Sequence, residues 1–207
     1  MNKERFFSRV SQLLANIKKS KKVYVFLGSG AILIYLLVYS SFFSLGLSVD
    51  QFSLQFNNSM AKIGLEPRIN QIPLEQDVVG SHFGFLINES TFIKGVKGVV
   101  NSAGNIRAVA FVVVNDGSVK GVGQMIVFLS GVIETVDPSL KTEDRFRLLK
   151  ELELLSNKAS GELVRNNLKY TFSKTEVKGA IIFYVMRAYD PLYDPIYNKF
   201  SIYPAKK

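Results

Sequence analysis

Apolar positions along this chain fall into three regimes. Over residues 3–19, Phe6, Val10, Leu13 and Ile17 recur at spacings of three and four, with Phe7 and Leu14 beside them. Arg5, Arg9, Lys18 and Lys19 border or oppose that stripe, which predicts an amphipathic helix suited to a lipid headgroup region. From Val23 to Leu47 no residue is charged. A helix of about 25 residues, rising about 1.5 Å each, reaches roughly 37 Å, enough to cross a hydrocarbon core of ~30 Å. The second regime therefore predicts a transmembrane helix, with Tyr24 near one interface and Tyr39, Phe42 and Phe43 near the other. A cleaved signal peptide fits less well, because the apolar run is long and Ser44-Leu45-Gly46 is a poor cleavage site beside bulky Phe42 and Phe43.

In the third regime the period alternates between helix and strand. Ser48-Val49-Asp50, then Phe52, Phe56, Met60 and Ile63, predict a capped helix ending at Gly64. Residues 66–79 contain Pro67 and Pro73 and read as loop or irregular strand. Strands are predicted at 81–87, 91–100 and 106–114, the last two joined by the Asn101–Asn105 loop with Gly104 available for a positive φ. Alternating alanine and valine around Val109 predicts a strand buried on both faces. After the turn cluster Asn115–Ser118, Val122, Met125, Ile126, Leu129, Ile133 and Val136 form a helical stripe that Asp137-Pro138 ends. Thr142 can cap a further helix carrying Phe146, Leu149, Leu152 and Leu155, and strands follow at about 167–173 and 179–187. The expected fold class is α+β: a single N-terminal transmembrane helix followed by one exported domain, a mostly antiparallel sheet packed against helices. The expected divisions are a basic tail (1–22), the span (23–47), the exported domain (48–188) and a tyrosine- and proline-rich tail (189–207).

Charge changes this picture through its distribution. The chain of 207 residues has a formal net charge of +9, and residues 1–22 carry +6 of it through seven basic groups against Glu4. The remainder is nearly balanced at +3, which gives a nucleic-acid-binding face little support. Lys18, Lys19, Lys21 and Lys22 precede the span and Asp50 follows it, so the positive-inside rule predicts a cytoplasmic N-terminus. The absence of cysteine removes disulfides and thiolate metal sites and favours a bacterial envelope protein over a small disulfide-bonded secreted domain. The layout resembles accessory subunits of bacterial secretion and conjugation machines, and membrane-held immunity proteins; this resemblance covers no motif and assigns no residue a role.

Candidate chemistry is sparse. His82 is the single histidine, so zinc sites and histidine relays lack their parts, and it reads as a surface or packing residue. Glu143/Asp144 and Glu151/Glu153 lie among Arg145, Arg147 and Lys150, as solvated ion pairs on a helix would. Gly121-Val122-Gly123 lacks the Gly-Lys-Ser/Thr of a phosphate loop and reads as shaping the start of a helix. No catalytic, metal or cofactor-binding residue is expected, and the protein is expected not to be an enzyme. At the C-terminus, Asp-Pro-aliphatic-Tyr occurs twice, at 190–193 and 194–197. Tyr189, Tyr193, Tyr197 and Tyr203 are the candidate partner-binding residues, although a tail that wraps its own domain and packs those rings into a groove explains them more simply.

These features together predict a signal-anchored, single-pass protein of the bacterial inner membrane with a periplasmic or extracellular domain. That domain would bind another envelope protein as assembly factor, scaffold or inhibitor. Membrane lipid would contact the anchor and basic tail, and self-association into a homo-oligomer is left open. The alternative is a tethered domain that holds a lipid or other apolar ligand. The ligand would lie between sheet and helices: a large apolar cavity in the structure, or co-purified lipid, would favour this, and a filled core would sink it.

Overall fold

Strand β4 (Ile106–Val114) and strand β7 (Ala180–Arg187) pair antiparallel at the middle of the molecule, from Ala108 opposite Met186 to Val114 opposite Ala180. Both are dense in valine, isoleucine and aromatic side chains, which pack well on a pleated surface. The computed structural model describes residues 43–65, 74–77, 80–85, 93–114, 116–175 and 179–190. Around the central pair lies one continuous seven-stranded sheet, antiparallel throughout, in the order β1-β2-β3-β4-β7-β6-β5. Its other strands are β1 (Leu74–Asp77), β2 (Gly80–Phe85), β3 (Ile93–Val100), β5 (Ser160–Arg165) and β6 (Leu168–Lys174). Three helices accompany it: α1 (Val49–Lys62), α2 (Val119–Val136) and α3 (Thr142–Glu151).

Alternation assigns each strand residue to a face. Val109, Phe111, Val113, Phe172 and Phe183 join Phe52, Phe56, Phe128 and Leu148 of the three helices in the main core. The opposite face carries a smaller buried cluster of Val99, Ala108, Ala110, Ile182, Tyr184 and Met186, so β4 is buried on both faces. Between helices and sheet the space is filled by rings. Phe56 lies 6.0 Å from Phe111 and 6.2 Å from Phe128, and Phe111 lies 5.9 Å from Phe128 in an edge-on arrangement.

The expected fold requires correction. Phe43–Leu47, placed at the end of a transmembrane helix, belong to this domain. The Leu45 N–H donates to the Ile106 carbonyl at 2.7 Å, the Ile106 N–H to the Leu47 carbonyl at 2.8 Å, and Leu45 is buried in the core. Arg187 Nε also donates to the Ser44 carbonyl at 2.6 Å. The rest of the expected span, and the basic tail with Lys18, Lys19, Lys21 and Lys22, lie outside the described residues. Among the described residues the helix long and apolar enough to cross a membrane is α2, and it is embedded in the core instead. The chain leaves the sheet from β4 into α2 and re-enters the same sheet at β5, so α2 does not divide the domain into two compartments. The picture of an anchor and a separate tethered domain gives way to one α+β domain with an embedded apolar helix. With it go the signal-anchor, inner-membrane and periplasmic assignments, and the lipid, envelope-protein and homo-oligomer partners derived from them.

Of the two edge strands, β1 falls within the stretch read as loop or irregular strand, and β5 was not expected. β1, Leu-Glu-Gln-Asp, lacks an apolar alternation, and β5 has only half-buried Gly161, Leu163 and Arg165 on its inward positions. β5 is defined by its turn: Arg165 pairs with Leu168 across Asn166 and Asn167, both at positive φ, the two-residue hairpin geometry that asparagine tolerates.

Candidate functional site

The expected continuation of α3 through Leu155 does not occur, and its early end shapes a surface hollow. The stripe Phe146, Leu149, Leu152, Leu155 fits a helical period, yet the helix stops at Glu151. Glu153 adopts a left-handed backbone conformation, φ 57°. The turn buries Leu152 and Leu154 and turns Leu155 outward, 61% exposed. Phe146, on α3, is 40% exposed.

Two open hollows flank this ledge. One, of about 360 Å³, is lined by Ile126 of α2, Phe146, Leu149 and Lys150 of α3, and Leu154 and Leu155. The other, of about 340 Å³, shares Leu154 and Leu155 and is walled by Val122, Met125, Ile181 and Lys174. Each lies near the lower end of the roughly 300–1,000 Å³ range typical of ligand sites, and apolar lining with a few polar groups is their usual composition. Three charged side chains border the hollows. Glu153 pairs with Lys158 at 2.7 Å, Lys174 Nζ donates to the Ser156 carbonyl, and Lys150 has no ion pair among the described residues.

Polar clusters elsewhere hold elements together. Glu134 of α2 accepts from Lys62 of α1 at 2.6 Å and from Arg145 of α3, fastening the three helices. Partial burial pushes the Glu134 carboxyl up, but hydrogen bonds from Lys62 and Arg145 outweigh it and hold the carboxyl below its usual value. At the C-terminal end of α2, buried Asp137 accepts from Ser139 at 2.6 Å and from Asn166 at 2.9 Å, with the Tyr170 hydroxyl 3.4 Å away. Burial, and then the Asp137 charge, push the Tyr170 hydroxyl well above its ordinary value, so it stays protonated. No member of that cluster lines either hollow, and it ties the Asn166–Asn167 turn to α2.

The residues singled out from sequence are scattered. His82 sits on β2 with Nε2 3.0 Å from Glu75 on β1. Asp144 pairs with Arg147 at 3.3 Å and Glu151 with Arg165 at 2.9 Å, while Glu143 is exposed, as solvated carboxylates would be. Gly121 follows an N-cap: its N–H donates to Ser118 Oγ at 2.9 Å, and Asp116 accepts from the Ser118 hydroxyl at 2.7 Å. The hydrogen bonds from Ser118 hold the Asp116 carboxyl below its usual range. This helix start is thus capped by a side chain of its own segment. Tyr189 is 84% exposed, whereas Tyr193, Tyr197 and Tyr203 lie outside the described residues. Asp190, first residue of the repeated motif, is buried in a two-bond pair with Arg107 of β4, one bond of 3.1 Å. Among the described residues no cluster of histidine, cysteine or carboxylates is placed to hold a metal.

The Leu154–Leu155 ledge was missed, and the sequence did carry a signal for it. Five leucines fall within residues 148–155, and one helical face cannot bury Leu148, Leu149, Leu152, Leu154 and Leu155 together. The fold thus defines one α+β domain with a continuous antiparallel sheet and an apolar ledge beside its long helix. Comparison with protein-family models, curated proteins and solved structures finds no match for this chain.

Proposed function

We propose that this domain is a non-enzymatic binder of a small apolar ligand, seated against the Leu154–Leu155 ledge between α2, α3 and β7. The observation that carries the reading is the pair of apolar hollows on either side of that ledge, with Phe146 and Leu155 left exposed at it. The ring-filled layer between sheet and helices counts against a ligand held there and moves the site to the outer surface. An exposed leucine beside an exposed phenylalanine is stabilised when a ligand removes both from water, at roughly 25 cal/mol per Å² covered.

The test is titration of the full-length protein with the neutral fluorescent probe N-phenylnaphthylamine. Saturable binding is expected in the wild type, and a loss of about tenfold or more in Leu155→Asp, where a charge would have to be buried with the probe. Equal probe affinity in wild type and Leu155→Asp would refute the site.

A further inference from the structure

Building on the apolar-ligand reading above, we infer that the ligand is a single-chain amphiphile with an anionic head, and that Lys150 supplies its counter-charge. The argument is one of charge complementarity at the rim of the hollow. Glu153 is committed to Lys158 at 2.7 Å, and the Lys174 ammonium lines the other hollow, where it donates to the Ser156 carbonyl. Lys150 lines the same hollow as Ile126, Phe146 and Leu149, is exposed, and has no ion pair among the described residues. Its charge lies at the border of apolar lining and water, where a ligand with an apolar body and charged head needs it.

The position of Lys150 in the fold makes the assignment testable. It stands in the last turn of α3, whose C-terminal carbonyls carry partial negative charge. Without Lys150 that helix end would repel an anion, so the preference for an anionic head depends on this one side chain. A neutral amphiphile of equal chain length keeps the apolar contacts and gains nothing from Lys150. The sign of the head-group preference is therefore the measurable quantity.

Dodecanoate and dodecanol, each below its aggregation threshold, compete with N-phenylnaphthylamine for the full-length protein at about pH 8, where the dodecanoate carboxyl is ionised. Dodecanoate is expected to displace the probe at about threefold to tenfold lower concentration than dodecanol. Lys150→Gln should weaken dodecanoate alone and bring the two together, Lys150→Arg should retain the preference, and Lys174→Gln should leave it intact. Equal displacement in the wild type, or a preference that survives Lys150→Gln, overturns the assignment of Lys150 while the apolar site stands. A preference lost in Lys174→Gln would place the head in the other hollow and also overturn it. If the probe binds Leu155→Asp as well as wild type, the apolar site itself fails and this inference falls with it.

Discussion

The interior beneath α1 and α2 and the ledge after α3 are built from the same kinds of side chain, yet only one is closed. Phe52, Phe56, Phe111 and Phe128 come from two helices and a central strand, converge from opposite sides, and are fully buried. Phe146 and Leu155 are as apolar, but α3 stops at Glu151 and no described element lies over them. Closure depends on convergence of elements, and composition alone does not supply it. On the proposed reading the difference separates stability from recognition: side chains in the interior hold the fold, and side chains on the ledge are left for a ligand.

Removing a ring from the closed region should give the largest effect. Phe111→Ala opens a cavity among rings that cannot collapse together, and a loss of about 3–5 kcal/mol is expected in urea unfolding. A loss below about 1 kcal/mol would mean that the interior is as loose as the ledge. Gly98→Ala tests closure from the opposite direction. Gly98 pairs with Phe83 across β2 and β3, and a Cβ there would fall within the Phe83 ring. That ring is backed by Phe52 at 6.1 Å, so it has little room to retreat. Overpacking should cost about 1–3 kcal/mol, and an unchanged Tm would show that the ring swings aside freely.

What was legible in the sequence follows the same division. The α1 and α2 stripes and the strand 106–114 were readable because burial on a helix or strand face imposes a period. β5 was not, since its register comes from Asn166 and Asn167 adopting positive φ, a turn signal without an apolar alternation. The role of Leu45 was hidden because an uncharged run reads alike as membrane span and as core. The hydrogen bonds to Ile106 and from Arg187, with the burial of Leu45, distinguish them at Phe43–Leu47. The surplus of leucines at 148–155 signalled the ledge but not its place, because Leu155 continues the period of α3 and the left-handed Glu153 that interrupts the helix has no strong marker in its residue type.

Glu134 offers an intermediate effect, at the junction that fastens the three helices. Its carboxyl is held below the ordinary value of 4.5 in the folded protein. A depressed folded pKa adds stability that is fully present above the unfolded value and fades as pH falls through the folded one. Glu134→Gln should therefore cost about 1–2 kcal/mol near neutral pH. The gap from wild type should narrow as pH falls below 4.5, measured by urea unfolding at about pH 7 and about pH 3. A gap of equal size at both values would mean that the pairing with Lys62 and Arg145 contributes nothing through charge.

The smallest expected stability change is also the most informative, because it lies on the ledge. Leu155 is 61% exposed, so Leu155→Ser removes little buried apolar area and should shift stability by no more than about 0.5 kcal/mol. Probe affinity should nevertheless fall severalfold, since the same side chain walls both hollows. Phe111→Ala should show the reverse, a large stability loss with the remaining folded fraction still binding the probe. If Leu155→Ser unfolded the protein as readily as Phe111→Ala, Leu155 would be part of the core, and the separation between a closed interior and an open ledge would fail. If it left both stability and probe binding untouched, the ledge would be ordinary surface. Loss of binding at constant stability is the outcome that a site left open by the early end of α3 requires.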